Sequence, residues 1–438
     1  MNNGIWNPIE TIPESKFKNS QSGMLGAQLE YVVNESRFYQ QKFLNLDAFD
    51  PTQINSFYKL PFTTKNDLLQ DQVKYPPLGS NIADKVDIGQ RIHKTSGTTG
   101  QPLYLMLSRQ DAANTIECGA RCFWASGLRP SDTVIHCMNY CMWAGGYSDH
   151  ASLEKTGATV IPYGIGQTKK LVELILYLHP TAIHCTPSYL SKIESVLLSE
   201  FGMDPKDLKL RIALMGGESG LQNPEFRQRI EETWGIKACN ANYGMADVLS
   251  MFGGECGRQQ GLHFMGRGVL LPELIDLDTQ QPLPIEAGTK GELVVTNLCK
   301  EMQPLIRYRT GDVIEILSTD ECSCGRHSFR FEVAGRVDDM LVIKGINVFP
   351  QSVANVVSRY MELLSGEYEI LINREYPIDR FIIRLELGTD TKKVSNLWLD
   401  GILNDLIHDL AITPQIEFVP YGGLPRTEGK SKRIKRTL

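Results

Sequence analysis

Thr159-Val160-Ile161-Pro162, Ala182-Ile183-His184-Cys185 and Leu210-Arg211-Ile212-Ala213-Leu214-Met215 are three short, β-branched or apolar runs. The segments between them, Lys169 to Leu178 and Ser188 to Leu198, carry apolar residues at helical spacing. The first of these segments stops at His179-Pro180, where proline cannot continue a helix. The last run ends in Gly216-Gly217-Glu218, a glycine turn. Strands too short to bury one face alone, separated by helix-length segments, predict a largely parallel sheet covered by helices. In such sheets ligands bind outside the carboxyl ends of the strands.

Working outward, residues 24–46 place Leu29, Val32, Val33, Phe38 and Phe43 at helical spacing, ending before Pro51. From Ile92 the pattern is strand, turn, helix. After Met265 it changes: Leu293 to Thr296 and Val313 to Leu317 are short strands between loops, predicting a β-rich subdomain over about 265–334. Beyond Gly335-Arg336, strands at Met340–Ile343, Tyr368–Ile372, Phe381–Leu387 and Ile416–Val419 alternate with helices at Ser352–Tyr360 and Val394–Leu410. The expected architecture is α/β, with a large N-terminal domain over 1–334 and a small α+β C-terminal domain over 335–438.

The 438 residues carry a net charge of −6, which argues against a nucleic-acid binder. A hydrophobic content of 42% suits a globular protein, and no run approaches the roughly 18 apolar residues of a membrane span. The N-terminus shows no basic segment followed by an apolar one, so no secretory signal is visible. Ten cysteines dispersed over this length read as reduced thiols, and a cytoplasmic protein with no membrane partner is expected.

Two loops carry phosphate chemistry. Thr95-Ser96-Gly97-Thr98-Thr99-Gly100-Gln101-Pro102 is rich in glycine and hydroxyls, so backbone N–H groups and side chains can approach phosphate oxygens. Pro425-Arg426-Thr427-Glu428-Gly429-Lys430-Ser431 offers one lysine on a glycine-flanked loop. Gly429-Lys430-Ser431 falls short of a Walker A loop, because Leu424 stands where the first glycine belongs. Read singly, the first loop is an ordinary turn and Lys430 a solvated tail lysine. Cys256, His263, Cys322 and Cys324 form a Cys₃His set that suits a closed tetrahedral zinc site, although free buried thiols fit the spacing as well.

In chain order, Gly217-Glu218, Asn242-Tyr243-Gly244-Met245-Ala246-Asp247, Arg307-Tyr308-Arg309-Thr310-Gly311-Asp312, Gly335-Arg336-Val337-Asp338-Asp339 and Lys344 to Pro350 complete a series. The series resembles the adenylate-forming enzymes, the superfamily of acyl-CoA synthetases, adenylation domains and luciferase. Leu60 to Leu68, Gly157 to Pro162, Thr186-Pro187-Ser188-Tyr189 and Arg307 to Thr310 are similar to the phenylacetate–CoA ligase family within it. The likeness covers nearly the whole chain.

The resemblance implies ATP-dependent conversion of a carboxylic acid to acyl-AMP, then transfer to the thiol of coenzyme A after the small, mobile C-terminal domain turns about a hinge at Asp338. By matched position, Ser96, Gly97, Thr98, Thr99 and Gly100 would hold phosphates. Glu218, Asn242, Tyr243 and Gly244 would line the adenine and α-phosphate side, and Asp312 would take the ribose, with Arg336 also on the nucleotide. Lys430 would be the catalytic residue of adenylation, and Asp247 would help hold Mg²⁺. The family resemblance also favours zinc at Cys256, His263, Cys322 and Cys324.

Two positions depart from the family pattern: Gln101 stands where relatives usually carry lysine, and Asp247 where they usually carry glutamate. The stretch Met138 to Tyr147 matches the aryl pocket, so Tyr140, Trp143, Gly145 and Tyr147, with Gly216, would receive the acid. The polar groups of Asn139 and Tyr147 suit a hydroxylated or amino-substituted ring as well as phenylacetate. An aromatic or arylacetic acid–CoA ligase is the expected activity. A stand-alone adenylating enzyme that loads a carrier protein or an amine is the alternative, ahead of an inactive nucleotide-binding relative or a zinc-binding module. The resemblance also allows a homodimer.

Overall fold

A computed structural model of the chain describes residues 4–44, 57–83, 89–95, 101–218, 220–343, 346–372, 381–391, 394–425 and 433–436. They form two compact units. One comprises Met1–Gly216, Trp234–Thr310 and Glu315–Glu332; the other comprises Gly217–Thr233, Gly311–Ile314 and Val333–Leu438.

The strands, in chain order, are β1 (Arg91–Lys94), β2 (Tyr104–Leu107), β3 (Thr133–His136), β4 (Thr159–Pro162), β5 (Ala182–Cys185), β6 (Ile212–Gly216), β7 (Lys237–Met245), β8 (Leu249–Glu255), β9 (Leu262–Phe264), β10 (Leu270–Ile275), β11 (Pro282–Leu283), β12 (Lys290–Asn297), β13 (Tyr308–Ser318) and β14 (Arg330–Arg336). Twelve of them make one sheet in the order β11-β10-β12-β13-β14-β9-β8-β7-β6-β5-β3-β4. The run from β7 to β4 is parallel, as the alternation of strand and helix predicts. Pairing turns antiparallel at β7 and β8, and the β-rich segment extends the same ladder.

The order β5-β3-β4 sets the position of the site. The chain leaves β3 for β4 on one side, through helix Ala144–Lys155, and then returns past β3 to β5 through helix Thr168–Leu178. Connections therefore diverge at the carboxyl ends of β3 and β5, which is the switch point where a doubly wound sheet opens a crevice. β5 and β6 are buried along their whole length, as strands covered on both faces must be. Phe123, Leu128, Val134, Leu153, Ile212 and Leu214 pack one part of this core.

Helix Arg109–Ser126 starts at a Ser108 capping box and ends at Gly127, whose left-handed φ of 107° closes the last turn. Helix Thr168–Leu178 likewise ends at a left-handed residue, His179, with proline next. The predicted helix over 24–46 is two helices, Glu14–Glu35 and Arg37–Phe43, broken at Ser36, which takes an extended backbone. Helix Pro187–Val196 gives way to a wider turn over Leu197–Phe201.

Beyond β14 lie the hairpin β15 (Leu341–Ile343) and β16 (Ile346–Val348), then β17 (Leu364–Ile372), β18 (Ile382–Leu387), β19 (Gln415–Val419) and β20 (Ile434–Arg436). The last four form a sheet in the order β19-β18-β17-β20. Helices Pro350–Arg359 and Asn396–Leu410 supply Val353, Val356, Ile402 and Leu406 to its core. This is the α+β unit expected from the sequence.

Candidate active site

At the carboxyl end of β3 the chain enters the loop that leads to helix Ala144–Lys155. Gly146, in the first turn of that helix, lies so close to the loop that a Cβ there would stand 2.3 Å from the Asn139 carbonyl oxygen. Only glycine permits this approach. The loop is also held from below. His136 Nε2 donates to the Gly146 carbonyl at 2.9 Å, and His136 Nδ1 lies 2.8 Å from His184 Nδ1 on β5, with the two rings stacked. A carbonyl can only accept, so Nε2 of His136 carries the hydrogen and its Nδ1 is the acceptor. His184 must then donate from Nδ1, which leaves His184 Nε2 as a buried acceptor without a partner among the described residues. Burial lowers both rings, His136 to about 4, so both are neutral near pH 7.

Of the predicted acyl-pocket residues, Tyr140, Trp143 and Gly145 lie on this loop and helix. Tyr140 meets the His136 ring edge-on and its hydroxyl pairs with His150 Nδ1 at 2.9 Å. The Trp143 ring lies against Gly145. Gly216, at the end of β6, pairs with Asn242 of β7, and a Cβ on Gly216 would meet Asn242 Cβ at 2.4 Å. Tyr147 is turned outward, 51% exposed, with the Arg91 guanidinium 4.2 Å from its ring centre. The structure adds a residue that sequence reading passed over. Asp149, fully buried, accepts from Asn242 Nδ2 at 2.5 Å and from Ser250 Oγ at 2.9 Å. Burial pushes its carboxyl well above the usual range, against those two hydrogen bonds. It lies four residues after Gly145, on the same helix face, a spacing that does not by itself mark a functional residue.

Of the residues assigned to nucleotide, Asn242 is hydrogen-bonded to Asp149 and paired with Gly216. Tyr243 packs edge-on against Phe252 and Phe331. A Cβ on Gly244 would stand 2.2 Å from the Ser250 carbonyl oxygen. Glu218 is half-buried in the turn after β6. Asp247 is buried; the Tyr308 hydroxyl donates to its Oδ2, and Lys300 Nζ donates to its backbone carbonyl at 2.8 Å. Ser96, Gly97, Thr98, Thr99, Gly100 and Lys430 lie outside the described residues. The strands that flank the first five, β1 and β2, pair antiparallel from Arg91↔Leu107 to Lys94↔Tyr104.

Three further predicted residues meet directly. Arg336 Nη1 donates to Asp312 Oδ1 at 2.6 Å, and Arg336 Nε donates to Asp338 Oδ1 at 2.8 Å. Burial alone would lower the guanidinium, but Asp312, Asp338 and Asp339 together raise it. The carboxylates of Asp312 and Asp338 therefore share one cation.

Away from the crevice, Cys256, His263, Cys322 and Cys324 place their ligand atoms within 4.8 Å of one another. Cys256 Sγ and Cys322 Sγ are 4.0 Å apart, and Cys324 Sγ lies 3.6 Å from His263 Nε2. Those separations fit ligands about 2.3 Å (S) and 2.0 Å (N) from a shared tetrahedral centre. Ser328 Oγ stands 3.4 Å from His263 Nδ1 and thereby orients the imidazole. Arg326 donates to Cys324 Sγ at 3.5 Å and to Glu10 Oε2 at 2.7 Å. The Cys324 thiol is driven below its ordinary range, first by the Cys256 thiol and then by His263 and Arg326.

Residues 74–299 match the AMP-binding enzyme family, and residues 345–436 match the AMP-binding enzyme C-terminal domain. A phenylacetate-coenzyme A ligase of Thermus thermophilus is 32% identical, over 97% of this chain and 98% of its own length. A phenylacetate-coenzyme A ligase of Pseudomonas putida is 31% identical, over 98% of this chain and 96% of its own. Among solved structures, a 2-hydroxyisobutyryl-CoA ligase in the postadenylation state with 2-HIB-AMP superposes with a TM-score of 0.88 at 26% identity, covering 98% of this chain and 91% of that one.

Proposed function

The chain belongs to the AMP-binding enzyme family, together with the phenylacetate-coenzyme A ligases, and from that premise we propose that it joins an aromatic or arylacetic acid to coenzyme A at the expense of ATP. One observation carries the reading. In a chain aligned with those ligases over nearly its whole length, the helix that carries Trp143 and Gly145 is joined through Asp149 to Asn242, beside Gly216 at the carboxyl end of β6.

In the first step a carboxylate oxygen of the acid attacks the α-phosphorus of ATP. The bond to the bridging oxygen breaks, and pyrophosphate leaves with that electron pair. Thr98, Thr99 and the backbone of 96–100 are assigned to the β- and γ-phosphates. Lys430 is assigned to the acyl and α-phosphate oxygens, where an ammonium offsets the developing charge. Asp312 takes the ribose hydroxyls and Arg336 orients it. In the second step the thiolate of coenzyme A attacks the acyl carbon and AMP departs. Asp338 is assigned to the hinge that exchanges the surroundings of the one reaction centre. Mg²⁺ on the phosphates would supply charge neutralisation, with Asp247 as its protein ligand, and Cys256, His263, Cys322 and Cys324 would hold a structural zinc. No helix among the described residues is long and apolar enough to cross a membrane.

Acid-dependent ATP–pyrophosphate exchange over a panel of aromatic acids, repeated as thioester formation with coenzyme A, tests the reading. Exchange with no acid in the panel would overturn it; exchange without thioester would replace coenzyme A by another acceptor. Lys430→Ala is expected to abolish exchange and largely spare thiolysis of supplied acyl-AMP.

A further inference from the structure

We infer that the acid this enzyme activates carries an N–H or O–H donor on its ring, received by Asn242 with Asp149 as the residue that orients it. The inference rests on the ligase reading and narrows its substrate class. Asn139 and Tyr147, the polar groups that the sequence offers to a substituted ring, are otherwise engaged. Asn139 Oδ1 accepts from the Cys141 N–H at 2.9 Å, and Tyr147 faces outward beneath Arg91. The polar end of the pocket lies instead at the seam between helix Ala144–Lys155 and β7.

Four positions define that seam. Trp143, Gly145 and Asp149 share the start of one helix, and a Cβ built on Gly145 would touch the Trp143 ring at 2.9 Å and Asp149 Oδ2 at 3.2 Å. Asn242 joins them from β7 through its Nδ2, and it also flanks Gly216. Asp149 turns no oxygen to solvent and has no cation beside it among the described residues. Its Oδ1 takes the Ser250 hydroxyl and its Oδ2 takes the Asn242 amide nitrogen.

Asp149 Oδ2 is the acceptor for the Asn242 amide nitrogen. An amide with Nδ2 committed to a carboxyl oxygen must present Oδ1 in the opposite direction. Asn242 is only half-buried, and Nδ2 to Asp149 is the one hydrogen bond its side chain makes among the described residues. Its carbonyl oxygen is therefore an oriented acceptor with no partner among the described residues, beside Gly216 and next to the helix that carries Trp143 and Gly145. An apolar ring would bury this acceptor unpaired, which is costly. A ring bearing an amino or hydroxyl group would satisfy it. Sites built around such a bond reject analogues that lack the donor far more strongly than apolar pockets reject size differences.

The test uses the full-length enzyme and pyrophosphate exchange. The probes are the amino- and hydroxy-substituted benzoates and phenylacetates, each ring position beside its methyl analogue and unsubstituted parent. The expected result is that one donor-bearing isomer exceeds its methyl analogue in kcat/KM by at least about tenfold. The ranking of amino against hydroxyl names the donor. Asn242→Leu, close in volume, should lower the donor-to-methyl ratio at least about tenfold. Asp149→Asn should lower it too, because a second amide no longer dictates which way Asn242 points; thermal melting confirms that each variant is folded. Loss of general activity with an unchanged ratio would make Asp149 merely structural and overturn its assignment. A wild-type ratio near one, with brisk exchange on the parent acids, overturns the inference while the ligase reading stands. No exchange with any acid overturns both. An unchanged acid ratio with a raised KM for ATP in Asn242→Leu overturns it by placing Asn242 on the nucleotide.

Discussion

Around Cys256 four ligand-type side chains face a common point, whereas around His136 the buried polar groups satisfy one another in pairs. The first cluster gathers three sulfurs and an imidazole within 4.8 Å, with Arg326 and Ser328 behind them. The second strings His184, His136 and the Gly146 carbonyl into one line, and Ser250, Asp149 and Asn242 into another. A convergent set of soft donors is complete only with a cation at its centre. Each linear set pairs its inner groups and leaves an acceptor at one end without a partner among the described residues, His184 Nε2 in the first and Asn242 Oδ1 in the second. The contrast is between donors arranged around one point and donors and acceptors arranged along a line.

The sharpest way to break this contrast is to take away the centre of the first cluster. Metal-replete protein is expected to hold one zinc per chain. Chelation, or Cys322→Ala, is then expected to cost more than about 4 kcal/mol in chemical denaturation, the range reached when a structural metal is lost. Absence of zinc in metal-replete protein would reduce the cluster to packed thiols, and chelation would then shift nothing.

The next effect lies just behind it. Arg326 is 1% exposed, and its charge is met by Glu10, itself 4% exposed, whose other oxygen takes the N–H groups of Trp6 and Asn7. Glu10→Ala would leave a guanidinium buried without its carboxylate and uncap the first turn, with an expected loss of about 3 kcal/mol. A double-mutant cycle with Cys324→Ala should show coupling, because Arg326 also donates to that sulfur. Strict additivity of the two losses would mean that the N-terminal segment and the cysteine cluster are independent.

The two clusters also differ in how far the sequence foretells them. Cys322 and Cys324 are two residues apart, and Cys256 and His263 seven, so each pair comes from local geometry and the four-residue set was visible before the fold was known. The strand and helix alternation over 159–216 was equally legible, because burial on both faces forces continuous apolar runs. His136, Asp149 and Ser250 gave no such signal. A histidine at the end of an apolar strand and an aspartate inside a helix look ordinary in one dimension. They become a site only because the crossover from β4 returns past β3 to β5 and sets β5 beside β3. The same topology draws Asn242 toward Asp149.

The smallest expected effect tests whether the linear cluster is neutral by design of its surroundings. Burial is the main cause that lowers His136 to about 4, with a further push from His150. The unfolded chain binds a proton on this ring near pH 6.5, whereas the folded chain does so only near pH 4. Stability contributed by the neutral ring is therefore full above pH 6.5 and is lost as pH falls toward 4, because acid favours the unfolded state that takes the proton. At pH 5.5 the loss from this one residue should be about 1.4 kcal/mol. His136→Gln keeps an N–H donor for the Gly146 carbonyl and an acceptor for His184, yet has nothing to titrate. Urea midpoints at pH 7.5 and 5.5 should therefore lie closer together in the variant than in the wild type. An equal gap in both proteins would mean that His136 is already charged in the folded state. The loop after β3 would then rest on a cation instead of on two neutral rings.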